Sequence, residues 1–118
     1  MNAAVFTDWR PDPCAVMLGT GYMIFESRSG IHGLAKELPE RIDLLAVQAE
    51  HPGRGQFRHF IHALKLNYRT ICVWEIMNEQ MNPILKRYGF SPVQETDCGE
   101  TLTGWKWEKH DASPSPLQ

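Results

Sequence analysis

The residues best suited to chemistry lie between Val47 and Leu64, in Val-Gln-Ala-Glu-His-Pro-Gly-Arg-Gly-Gln-Phe-Arg-His-Phe-Ile-His-Ala-Leu. There an apolar strand runs through a turn with two glycines into an amphipathic helix, and such a junction suits a phosphate. The first amides of a helix have no intrahelical acceptor, and the aligned peptide dipoles place roughly half a positive charge beside them. A phosphate or pyrophosphate therefore docks on backbone alone. Gly53 and Gly55 keep the approach open, and Arg54 and Arg58 add mobile positive charge on either side of the turn. The plainer reading is a Pro-Gly turn ahead of a surface helix; taken alone, the stretch is more often scaffold than site.

Other reactive side chains offer less. His59 and His62 stand three apart on the same helix, but no third ligand sits at a telling spacing, so they read as surface histidines and no metal site is expected. His32 and His110 are isolated, and His51, beside the phosphate turn, is placed to titrate against a bound ligand. Cys14, Cys72 and Cys98 form no CxxC pair, which indicates neither zinc nor a disulfide framework and fits a reducing setting.

The elements that must position this stretch belong to a chain of 118 residues, a length suited to one domain, here expected over 1–110 with a disordered tail over 111–118. A net charge of −2 argues against a protein held to nucleic acid by neutralising phosphates. No apolar run is long enough to span a bilayer, and the first residues lack the character of a signal peptide, so the expectation is a cytoplasmic protein with no membrane partner.

Arg41 to Glu50 is the strongest strand, with an apolar run from Leu44 to Val47 that suits cover on both faces. The helix from about Gly55 to Asn67 carries Phe57, Phe60, Ile61 and Leu64 on one stripe. Arg69 to Ile76 is a β-branched strand, so strand, helix and strand follow in order and predict a parallel pair. Met81, Ile84, Leu85 and Tyr88 mark a second helix, capped by Asn78 or Asn82 and stopped at Gly89-Phe90. Val93 to Thr96 and Thr101 to Glu108 read as terminal strands, with Trp105 and Trp107 on one packed face. Upstream, residues 1–13 read as an irregular or extended lead-in, Cys14–Leu18 and Tyr22–Phe25 as a hairpin, and Ile31 to Leu38 is ambiguous.

With these motifs in order, the region from about Asp43 to Phe90 resembles the GNAT superfamily, the acyl-CoA-dependent N-acetyltransferases. The family's phosphate loop, Arg/Gln-x-x-Gly-x-Gly/Ala, aligns with Pro52-Gly53-Arg54-Gly55-Gln56-Phe57 after Val47, followed by Arg58 and the apolar positions Phe60, Ile61 and Leu64. A second motif, an asparagine followed eleven residues later by Gly-Phe, aligns with Asn78 and Gly89-Phe90. The chain departs from the pattern at Pro52, at Phe57, at Leu85 where the family often has a tyrosine acid, and in the roughly 40 residues before the main strand, fewer than the family usually has.

The resemblance implies a mixed α/β (α+β) fold: a GNAT-like, mostly antiparallel sheet with a splayed parallel strand pair and two main helices. It implies acetyl-CoA or a related acyl-CoA as cofactor, with pantetheine beside Val47 and Ala49, pyrophosphate on the amides of Gly53, Arg54, Gly55, Gln56, Phe57 and Arg58, and Asn78 on the pantetheine arm. A backbone N–H near Val47 would polarise the thioester oxygen. The attacking amine needs a base, for which Asp43 and Glu50 are the nearest candidates. Burial among apolar neighbours would make Asp43 the stronger base; the plain alternative pairs it with Arg41. The implied activity is transfer of an acetyl group to an unidentified amine, on a small molecule or a protein, by a protein that could form a homodimer. Two further classes stand beside it: an inactive GNAT-fold binding or inhibitory module, which the departures favour, and a nucleobase-modifying enzyme like some phage members, which the net charge disfavours. Compact members of similar type are common in phage and mobile-element genomes.

Overall fold

In the computed structural model, residues 3–74, 81–97 and 99–109 are described. Ten elements follow in order: β1 (Phe6–Pro11), α1 (Pro13–Leu18), β2 (Met23–Ser27), β3 (Ile31–Leu38), β4 (Arg41–Ala49), α2 (Gln56–Asn67), β5 (Thr70–Trp74), α3 (Met81–Arg87), β6 (Ser91–Asp97) and β7 (Glu100–Glu108). The strands form one seven-stranded sheet in the order β1-β2-β3-β4-β5-β7-β6. Every neighbouring pair is antiparallel except β4 and β5, which run parallel from Arg41 opposite Thr70 to Leu45 opposite Trp74. This is the mixed, mostly antiparallel sheet with one parallel pair that the sequence led us to expect.

The parallel pair exists because α2 returns the chain to the same end of the sheet. Phe60, Ile61 and Leu64 are fully buried on one stripe of that helix and share a core cluster with Ile42 and Leu44 of β4 and Ile71 and Val73 of β5. Phe25 stacks on Phe60 at 5.6 Å between ring centres, and Phe6 meets Phe25 edge-on at 5.3 Å. Each such side chain contributes about 2 kcal/mol when fully buried, so the aromatic trio fixes α2 on the sheet. The buried stretch of β4 is Ile42, Asp43 and Leu44. The apolar run from Leu44 to Val47, expected to be covered on both faces, is not, for Leu45 and Val47 are half-buried and Ala46 is exposed where the second half alternates.

Upstream, two open readings are resolved and one expectation is corrected. The lead-in is an edge strand, β1, whose Pro11 sits at its end, where a missing N–H costs little. Cys14–Leu18 is not a hairpin strand but the helix α1: the Asp12 carboxylate accepts from the Cys14 amide at 3.3 Å, Pro13 opens the first turn, and Gly19, at φ 69°, ends it. The ambiguous stretch Ile31–Leu38 is β3, sandwiched between β2 and β4.

The later elements match more closely. After α3, Phe90 donates to the Leu85 carbonyl at 3.0 Å and Gly89, at φ 91°, makes the turn, so the glycine stop works as read. Pro83 falls in the helix's first turn, and Asn82 lies inside the helix, its Oδ1 accepting from Trp105 Nε1 at 3.1 Å. Trp105 and Trp107 share a face and pack against the core, with Lys106 on the other.

Candidate functional site

The site begins where β4 changes character. Between β3 and β4 the register runs from Leu34 opposite Leu45 to His32 opposite Gln48, so Ala46 and Val47 together face Gly33 alone. This is a β-bulge, and the extra residue is accommodated at Ala46, whose φ is 53°. Gly33 permits it: a Cβ there would lie 2.7 Å from the Ala46 carbonyl oxygen and 3.1 Å from Val47 Cα. Past Leu45, from Ala46 to Ala49, the β5-facing edge of β4 has no ladder partner among the described residues.

That edge leads into the turn. Gly53 (φ 84°) and Gly55 (φ 76°) both adopt left-handed conformations and have open space where a Cβ would stand. Gly55 is the N-cap of α2 and supplies no side-chain cap. The first intrahelical bond is His59 N–H to the Gly55 carbonyl at 3.2 Å, so the amides of Gln56, Phe57 and Arg58 come before it and have no helical acceptor. No acidic residue stands in the first turn, and Arg54 and Arg58 are exposed beside it. Phe57, the family's small-residue position, does not stopper the turn: it is half-buried against the core, 6.5 Å from Phe60 between ring centres. The turn therefore combines room for a close approach at Gly53 and Gly55, three amides without a helical acceptor and two exposed arginines.

The predicted residues divide into those the fold gathers and those it does not. Val47 and Ala49 lie on the bulged half of β4, side chains toward the core, a few residues from Gly53 to Arg58. The Gln56 side chain is occupied: its Oε1 accepts from the His51 amide at 2.7 Å. Asn78, the proposed pantetheine ligand, lies outside the described residues, as does any divergence of the chain beyond Trp74. Leu85, at the family's tyrosine position, is fully buried in the core.

Asp43 and Glu50 are not brought together. Seven residues of strand separate them, about 20 Å at the usual rise. Asp43 is not surrounded by apolar neighbours. It sits between Lys36 and Cys72 in the sheet, and its Oδ1 accepts from Arg41 Nε at 2.9 Å, while Arg41 Nη2 donates to Glu95 Oε1 at 3.3 Å. Burial disfavours the Arg41 charge, but the Asp43 hydrogen bond and the surrounding acids more than offset it and hold the guanidinium above its ordinary range. Beside them burial pushes the Cys72 thiol up to about 12, Arg41 opposing and Asp43 and Glu95 adding to the shift, so this thiol is no nucleophile at neutral pH. The cluster is a structural lock on the paired half of β4.

Glu50 is exposed past the strand end, its amide bonded to the Gly30 carbonyl at 2.8 Å, and it lines a cavity of about 340 Å³ with Glu26, Ser27 and His32. A cavity of about 520 Å³ opens near the end of the parallel ladder, where Gly104, the partner of Trp74, lines it with Asn82, Gln94, Thr103 and Trp105. A larger one, about 650 Å³, lies by Glu37 and Tyr68 at the opposite end of β4. Among the described residues no group of three or more potential ligands is placed to hold a metal, and no helix is long and apolar enough to cross a membrane.

Sequence reading missed Gly33, Ala46 and the role of the Gln56 side chain. A lone glycine inside a strand pattern was the available signal for the first, since such glycines mark bulges.

No family model matches this sequence, and no curated protein matches it. Among solved structures, a Desulfovibrio desulfuricans protein assigned to the GNAT family of acetyltransferases is similar, with a TM-score of 0.48 and 17% identity over 80% of this chain and 74% of that one.

Proposed function

We propose that the protein holds an acyl-CoA along the free edge of β4 and transfers the acyl group to an amine. The observation that carries this reading is one continuous piece of backbone: a bulged strand whose outer edge lacks a ladder partner among the described residues and which runs directly into a helix start with spare amides. Acyl-CoA supplies an activated carbonyl and a thiolate leaving group. The chain's own residues do the rest. The amides of Gly53 to Arg58, with Arg54 and Arg58, bind the pyrophosphate; backbone at Val47 and Ala49 aligns the pantetheine; a strand amide at the bulge accepts the developing charge on the carbonyl oxygen.

In the transfer a C–N bond forms as the C–S bond breaks, and the amine loses a proton. Glu50 takes that proton, directly or through water; Asp43, tied to Arg41, does not. With leucine in the core at position 85, the thiolate is protonated by solvent. That last feature also favours a second reading, a module that binds the thioester without turning it over.

One experiment separates the two. Thermal stability is followed with increasing acetyl-CoA while thiol release is monitored against a panel of amines. At a hundred times the dissociation constant, binding stabilises by about 2.7 kcal/mol. Stabilisation with thiol release supports transfer, stabilisation without it supports the module, and neither response removes both.

A further inference from the structure

Within the proposed cofactor site, Gln56 occupies a position where a side chain would ordinarily point to solvent or to a ligand. Instead it is folded back. Its Oε1 accepts from the His51 amide at 2.7 Å, and its Nε2 lies where a Cβ on Gly30 would stand, 2.1 Å from that point. Gly30, at φ 81°, belongs to the turn between β2 and β3, and its carbonyl accepts from the Glu50 amide at 2.8 Å. That turn is itself cross-bonded. Ser27 is buried, its hydroxyl accepts from the Ile31 amide at 3.0 Å, and its carbonyl accepts from the Gly30 amide at 3.2 Å. The glycine turn is thus tied at Glu50 to the turn that opens the neighbouring strand β3, and the amide of Gln56, bonded to His51, is the part that fills the space Gly30 leaves empty.

We infer that Gln56 is a positioning residue: its side chain, seated over Gly30, holds residues 51–55 in the shape that aims the α2 amides at the cofactor phosphates. This rests on the acyl-CoA reading for its function, though not for its geometry. A turn with two left-handed glycines has much freedom to lose on binding, and a brace that removes this freedom beforehand strengthens binding without touching the ligand. The space over Gly30 also makes glycine a requirement there. Any Cβ evicts the Gln56 amide, whichever residue carries the contact.

The test uses Gln56→Ala, Gly30→Ala and the double variant, with two readouts. Without ligand, amide hydrogen exchange at His51 should be roughly tenfold faster in Gln56→Ala than in the wild type, with the melting temperature nearly unchanged, as for loss of one exposed hydrogen bond. Unchanged exchange at His51 overturns the inference whether or not the protein binds acyl-CoA. With acetyl-CoA, Gln56→Ala and Gly30→Ala should each weaken affinity by about tenfold, and the double variant by no more than either single one, since both remove the same brace. Faster exchange with unaltered affinity, or additive losses, overturns the positioning role. If the wild type itself fails to bind acetyl-CoA, the proposed function falls and the exchange result alone decides whether the brace exists.

Discussion

The two halves of β4 are built on different terms. From Arg41 to Leu45 the strand is paired on both edges, with Ile42 and Leu44 buried under α2 and Asp43 locked by Arg41 on the other face. From Ala46 to Ala49 it is bulged, alternates in burial, and pairs among the described residues only with β3. The first half spends its residues on stability, and the second is the stretch proposed above to meet a ligand. Among the described residues the β5-facing edge of that stretch carries no ladder partner, whereas an unpaired edge in the buried half would leave costly unsatisfied groups.

Substitutions break or sharpen that contrast. Leu44→Ala in the paired half should remove about 2–5 kcal/mol of stability in chemical denaturation. Gln48→Ala in the free half should change it by less than about 0.5 kcal/mol. Gly33→Ala forces the bulge to shift, because the Ala46 carbonyl lies 2.7 Å from the new Cβ, and should remove about 2–3 kcal/mol while also weakening acetyl-CoA binding. A bulge irrelevant to the site would give the first effect without the second.

The smallest effect concerns Cys72, at the heart of the lock. Its thiol in the fold ionises near 12, against an ordinary 9.0, so the folded state keeps its proton where the unfolded state has lost it. The sign follows: this contribution is fully present below pH 9.0 and fades as pH rises toward about 12. A Cys72→Ala variant should show a shallower loss of stability across that window. In a Cys98→Ser background, a thiol reagent should label exposed Cys14 in the native protein and reach Cys72 only on unfolding.

Much of this architecture was legible because it is local. The α2 stripe, the strong strands on either side and the Gly89-Phe90 stop are periodic or positional signals within single segments. Cys14–Leu18 misled because a short apolar run suits strand or helix alike; Asp12, Pro13 and Gly19 held the answer as caps. The bulge was not legible, since it is a property of two strands in register: Gly33 on one makes room for Ala46 on the other. The Arg41 partner of Asp43, two residues away, was legible as the plain alternative, whereas Lys36 and Glu95 join its surroundings only in the folded sheet.

The most direct test of the account is a backbone amide NMR titration of the wild-type protein with acetyl-CoA. Binding along the free edge and the turn predicts saturable shifts at Val47, Ala49 and Gly53 to Arg58, with Asp43 and Cys72 undisturbed. Shifts centred elsewhere, or none at saturating concentration, would contradict it.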